Sequence, residues 1–148
     1  MKLKIAVLPG DGIGPEVTNQ SIKVLKCIAE KFNHEVETNS GLVGAVAIDK
    51  FNDPYPDKTH ELCKGSDAIL FGAIGDPKYD NDPKAKIRPE QGLLKMRKQL
   101  GLYANLRPTL VFESLLDMSP IKEDRISGTD ILFVRELTGG IYFGERGR

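Results

Sequence analysis

Arg97, Arg107 and Arg135 are flanked by apolar or turn residues rather than lying in a solvated charge stripe. A planar guanidinium pairs with a carboxylate through two parallel N–H···O bonds, so three converging arginines would hold a small dicarboxylate. Any one of them taken alone reads more simply as a surface charge. Leu93 and Leu94 precede Arg97 by four and three residues, which on a helix sets them on its face and offers apolar surface beside a cation. The plainer reading is that both leucines belong to the core. Tyr142 follows a glycine pair in Arg135-Glu-Leu-Thr-Gly-Gly-Ile-Tyr142-Phe-Gly-Glu145. With a cation nearby to tune it, a tyrosine can donate a proton; unaided, it packs.

A second candidate is the turn Leu8-Pro-Gly-Asp-Gly-Ile-Gly-Pro-Glu-Val17. It lies between an apolar strand pattern and a helical pattern, where a phosphate cradle would be expected. The dinucleotide fingerprint Gly-x-Gly-x-x-Gly/Ala fails, because counting from Gly10 its last position falls on Pro15. No lysine follows the glycines as a phosphate loop requires. Glu16 in the first helical turn suits the helix dipole but opposes a bound phosphate. The residues alone support a tight turn with positive backbone angles.

Three short unbroken apolar runs, Ile5–Leu8, Ala68–Phe71 and Ile131–Val134, predict strands covered on both faces. Between the first two, Pro15 starts a predicted amphipathic helix whose apolar stripe is Val17, Ser21, Val24, Leu25, Ile28 and Phe32. A strand over 34–38, helices over 43–51 and 56–64, a polar loop over 75–89 and a helix over 90–100 follow. Beyond them come a strand over 103–112, a turn or helix near 114–116 and a strand over 128–136. The alternation predicts an α/β layered fold, with ligands gathering at the carboxyl edges of the strands. Those edges carry Asp11, then Asp76 and Lys78, then Arg135 and Glu136.

Twenty-one basic residues balance twenty-one acidic ones among 148, without long like-charge runs. That pattern gives no footprint for nucleic acid or an anionic membrane surface and favours a small-molecule partner. Cys27 and Cys63 are too few for a disulfide framework or a zinc site and fit a reducing, cytoplasmic setting. No apolar run approaches the roughly 20 residues of a membrane span.

Four motifs in order are the opening turn, Arg88-Pro-Glu-Gln-Gly-Leu-Leu94, Ala104-Asn-Leu-Arg-Pro108 and Val134-Arg-Glu-Leu-Thr-Gly-Gly-Ile-Tyr-Phe-Gly144. Together they closely resemble the isocitrate/isopropylmalate dehydrogenase family, and within it the 3-isopropylmalate dehydrogenases. The resemblance runs the length of the chain and implies a two-domain α/β fold of the family's own type, not a Rossmann domain. Its first, cofactor-side domain is expected over 1–102 and the beginning of a substrate and dimerisation domain over 103–148. The chain is expected to be an amino-terminal part, with the family's catalytic lysine and metal-binding aspartates beyond Arg148 and no metal ligand within it.

The implied reaction is oxidative decarboxylation of 3-isopropylmalate to 2-oxo-4-methylpentanoate with reduction of NAD, in leucine biosynthesis, with Mg2+ or Mn2+ as the metal. The resemblance makes Arg97, Arg107 and Arg135 the substrate arginines and Tyr142 the catalytic tyrosine. Leu93 and Leu94 would then receive the isopropyl group. Ile13, Asp76, Pro77, Lys78, Tyr79 and Glu90 would face the cofactor, and the full-length protein would be a homodimer. Where a common family form is Gly-Gly-Pro-Lys, this chain has Gly75-Asp-Pro-Lys78, which could alter cofactor contacts. The alternatives are an isocitrate- or tartrate-type relative, or a truncated protein that binds a carboxylate or dimerises without catalysis. Arg135-Glu136-Leu137, where those relatives tend to carry Arg-Glu-Asn, argues against the first of these.

Overall fold

The computed structural model describes residues 1–140, 143 and 147. It divides into two compact units, Met1–Leu100 and Gly101–Arg148. In the first, β1 (Lys2–Gly10) is central to a parallel sheet of order β2-β1-β3, with β2 spanning Glu35–Ser40 and β3 Ala68–Ala73. Ile5, Ala6, Val7 and Leu8 are all buried, as the unbroken apolar run requires of a strand with cover on both faces.

Alternation along β1 divides those residues between two layers. Ala6 and Leu8, paired in register with Ile69 and Phe71, join Val43, Tyr55, Cys63 and Met96 in one core. Cys63 comes from α3 (Asp57–Lys64) and Met96 from α5 (Pro89–Leu100), while α2 (Ala45–Phe51) adds buried Ala47 and Ile48. Tyr55 is completely buried, with its hydroxyl 3.4 Å from His60 Nδ1. The opposite sheet face takes α1 (Gly14–Lys31), whose Thr18 Oγ1 lies where a Cβ on Gly72 would come within 2.6 Å.

α1 is rotated from the sequence expectation. Val17, Val24, Ile28 and Phe32 are exposed, and the residues buried under the helix are Gly14, Thr18 and Ala29. Gly72 and Thr18 meet so closely that no side chain fits at position 72, and the helix approaches the sheet through Gly14, Thr18 and Ala29.

The second unit is a two-stranded antiparallel ribbon, β4 (Ala104–Leu110) and β5 (Asp130–Glu136). A 3-10 helix, Glu113–Met118, and α6 (Glu123–Ile126) lie in the connection. The expectation that Ile131–Val134 is a strand covered on both faces is not met, because all four residues are exposed. An apolar run reports that a strand needs cover without saying which part of a protein supplies it. The free thiols Cys27 and Cys63 are exposed and buried respectively. No helix among the described residues is long and apolar enough to cross a membrane.

Two carboxylates organise the turns. Asp11, 2% exposed, accepts from the backbone N–H of Ala45 (2.8 Å), Val46 (3.0 Å) and Gly75 (3.1 Å). Glu136 accepts from the hydroxyl and N–H of Thr138 and from Gly139 N–H at 3.0 Å. The Thr138 hydroxyl foremost, then the two N–H groups, hold the Glu136 carboxyl below its usual range against a smaller desolvation effect.

Asp11→Ala would strand three N–H donors, each costing about 1–3 kcal/mol when buried. Its unfolding free energy in urea, followed by far-UV circular dichroism, is therefore expected to fall by about 3 kcal/mol or more. Asn at the same position, keeping one acceptor oxygen, should fall between. For Glu136, a depressed folded-state pKa means the turn's stabilisation is complete above the usual glutamate pKa and disappears as pH falls through the lower value. The amide resonances of Thr138 and Gly139 should accordingly titrate with a midpoint below that of an exposed glutamate, and a midpoint at or above it would refute the cap.

Candidate functional site

β1 ends in the opening turn, whose shape is set by how closely it meets β3. A Cβ on Gly10, where φ is +73°, would fall 1.9 Å from the Ala73 carbonyl oxygen, and one on Gly14 would fall 2.1 Å from that of Pro9. The turn is therefore closed by Asp11 N–H to Ala73 O (2.7 Å) and Gly14 N–H to Asp11 O (2.8 Å). Ile13 precedes α1, is 58% exposed and has no capping side chain. No phosphate cradle results. The free N–H groups at the start of α2 are already taken by the Asp11 carboxylate, and Glu16 stands in the first turn of α1.

Gly75 lies beside this turn: a Cβ on Gly12 would sit 3.8 Å from the Gly75 carbonyl oxygen, and one on Gly75 3.5 Å from Glu90 Oε1. Around Gly75 the structure thus brings together three of the sequence-predicted cofactor positions, Ile13's turn, Asp76 and Glu90. The remaining three, Pro77, Lys78 and Tyr79, lie in a short helix, α4 (Pro77–Asp80), inside the segment expected to be loop. Asp76 caps it by accepting from Lys78 N–H at 2.9 Å, and Pro77 occupies its first turn.

Sequence reasoning missed the partner of this helix. Asp49, on α2, accepts from Lys78 Nζ and from the Tyr79 hydroxyl, both at 2.7 Å on the same oxygen. The Lys78 hydrogen bond foremost, then that from Tyr79, keeps the Asp49 carboxyl below its usual range, and Asp49 raises both Lys78 and Tyr79. Twenty-nine residues separate Asp49 from Lys78, so no spacing signal could have found the pair. Arg88 Nη1 meets the Tyr79 carbonyl at 3.1 Å and closes the far end of the loop.

On α5, Leu93 packs against the core cluster, and Leu94 and Arg97 are half-buried. The helix is seated by Lys95 Nζ, which reaches Asp53 Oδ2 at 2.8 Å and the Tyr55 carbonyl at 2.9 Å. In the second unit, Arg107 pairs with Phe133 and Arg135 with Asn105, so the two arginines stand diagonally on one ribbon face. They line a shared cleft of about 530 Å³ with Thr109, Phe133 and Val134. Asn105, a second residue the sequence reading did not single out, steers Arg107 by accepting from Nε at 2.6 Å. Tyr142 lies outside the described residues. Among those residues no group of three or more His, Cys, Asp or Glu side chains could hold a metal ion.

A family model described as isocitrate/isopropylmalate dehydrogenase matches residues 4–148. A 3-isopropylmalate dehydrogenase of Bacteroides fragilis is 56% identical over 146 residues, which is 99% of this chain and 41% of that protein. One from Bacillus subtilis is 57% identical over 145 residues, 98% of this chain and 40% of that protein. The chain therefore spans about two fifths of the length of these relatives. The crystal structure of an isocitrate dehydrogenase from Methylococcus capsulatus is similar, with a TM-score of 0.71 and 29% identity over 95% of this chain and 36% of that one. Four ordered motifs, a parallel α/β unit without a Rossmann fingerprint and these matches agree: the chain belongs to the isocitrate/isopropylmalate dehydrogenase family.

Proposed function

We propose that the chain is part of a 3-isopropylmalate dehydrogenase that oxidises and decarboxylates its substrate with NAD in leucine biosynthesis, in the cytoplasm and as a homodimer. The observation that carries this reading is the register of β4 and β5, which sets two guanidinium groups, Arg107 and Arg135, on one face beside the ring of Phe133. Two cations with apolar surface between them suit a dicarboxylate that also carries an alkyl group. In this reading the Met1–Leu100 unit bears the cofactor and Gly101–Arg148 begins the substrate domain.

The rim around Gly75 fits a dinucleotide's sugar better than its phosphates. Glu90 supplies an acceptor for ribose hydroxyls, Ile13 an exposed apolar contact, and no cradle of free N–H groups is present. Bound NAD supplies the acceptor for the hydride that leaves carbon 2. Arg97, Arg107 and Arg135 would hold the two carboxylates; as one of them leaves as carbon dioxide, the electron pair of the broken C–C bond passes to the keto oxygen, and Tyr142 protonates the resulting enolate at carbon. Mg2+ or Mn2+ belongs to the same reading, but the described residues provide no donor set for it and none of these steps is routed through it.

Leu94 and Leu93 decide between substrates. An isopropyl group fully buried against them gains about 1.5–3 kcal/mol, whereas a third carboxylate in that place would be desolvated without a partner. In the full-length protein, kcat/KM for 3-isopropylmalate should therefore exceed that for isocitrate by at least about tenfold, and Leu94→Ala should lower it by about tenfold or more. Arg135→Gln should cost at least about 100-fold on the same substrate. Steady-state NADH formation measures all three, and a preference for isocitrate would overturn the assignment.

A further inference from the structure

We propose that Asp49 is a positioning residue for the cofactor: it anchors the Gly75–Tyr79 rim to α2 and so fixes the surface on which the nicotinamide dinucleotide rests. The inference rests on the reading of that rim as cofactor-side.

A helix of four residues cannot hold itself together in water, since nucleation is unfavourable and its few hydrogen bonds are exposed. What keeps α4 in place must come from outside it. At its entrance, Gly75 N–H is held by Asp11, which also binds the first two N–H groups of α2. One turn further along α2, Asp49 holds the side chains of Lys78 and Tyr79. The rim is thus tied twice to the same helix, and Arg88 on the Tyr79 carbonyl adds a third tie from the other side.

An isolated exposed ion pair contributes little, and Lys78 and Asp49 are 61% and 49% exposed. Three features set this one apart. A single Asp49 oxygen takes two donors from adjacent residues. Lys78 Nζ also lies 5.2 Å from the centre of the Tyr79 ring, so the three side chains form one body. Both donors belong to the segment proposed to face the cofactor, so Lys78 spends its charge on holding the rim rather than on a phosphate. Loss of Asp49 would leave the rim's residues present but unfixed, and the binding of the cofactor would then carry the cost of ordering them.

The test uses the full-length enzyme with Asp49→Asn, Asp49→Ala and Asp49→Glu, and with Lys2→Gln as a control that removes an exposed ion pair to Glu35 on the β1–β2 edge. Hydrogen–deuterium exchange is read over residues 76–81, KM is measured for NAD and for 3-isopropylmalate, and NAD binding is followed by calorimetry. The expected result is faster exchange at Tyr79, Asp80 and Asn81 and a rise of about three- to tenfold in KM and Kd for NAD, with kcat and the 3-isopropylmalate KM within about twofold. Asp49→Glu should recover part of the loss and the control should match the parent. Unchanged exchange in Asp49→Asn overturns the anchor. Faster exchange with unchanged NAD affinity, or an equal fall in every kinetic parameter, overturns its role in positioning. A parent enzyme inactive on 3-isopropylmalate would instead refute the substrate assignment, while exchange and calorimetry would still decide on Asp49.

Discussion

The first unit depends on one buried carboxylate. Asp11 opens the turn after the central strand, and its two oxygens receive N–H groups from the start of α2 and from Gly75 beyond β3. Burying a charge is expensive unless hydrogen bonds replace its hydration, and here three short ones do. The arrangement also explains Gly44: with φ at +83°, its Cβ would fall 2.2 Å from Asp11 Oδ2, so only glycine lets the carboxylate reach the helix. One side chain thereby joins its own turn to two segments 34 and 64 residues away. The entrance to the Gly75–Tyr79 segment hangs from that joint.

The same carboxylate accounts for a glycine-rich turn beside which the first N–H groups of α2 are already taken. A strand-to-helix turn in a doubly wound fold commonly presents a helix N-terminus to an anion. In this chain the protein fills the slot at α2 with its own anion and marks the other helix, α1, with Glu16. The turn is then a wall rather than a cradle, and its contribution to a ligand is shape and an exposed isoleucine.

Much of this was legible in the sequence, for identifiable reasons. β1 and β3 announced themselves as unbroken apolar runs, and α5 as a helix after Pro89, because those signals are local. What failed was non-local. The stripe on α1 counts large apolar residues, whereas the close contact is set by Gly72 on a distant strand, whose missing side chain leaves room for Thr18. α4 reads as loop in the sequence because its local support is a single cap, Asp76 on Lys78 N–H; Asp49 and Asp11, from α2 and the first turn, supply the rest. Three arginines were picked out by their surroundings, yet the diagonal placement of Arg107 and Arg135 follows from strand register, which no spacing of 28 residues could reveal.

Register also decides which side of the ribbon is available for a ligand. Alternation places Arg107 and Arg135 on one face and Leu106, Leu110, Leu132 and Val134 on the other, where each of the four is more than half exposed. A two-stranded ribbon is marginally stable by itself, and although Ile131 and Phe133 are also exposed beside the arginines, more of the apolar area to be covered lies on the aliphatic face. Whatever apolar surface covers that face, the covering leaves both guanidinium groups pointing the opposite way. That Arg107 and Arg135 share a face is therefore a property of strand parity. It requires only that Asn105 and the pairing of Arg107 with Phe133 persist, and both are local to the ribbon.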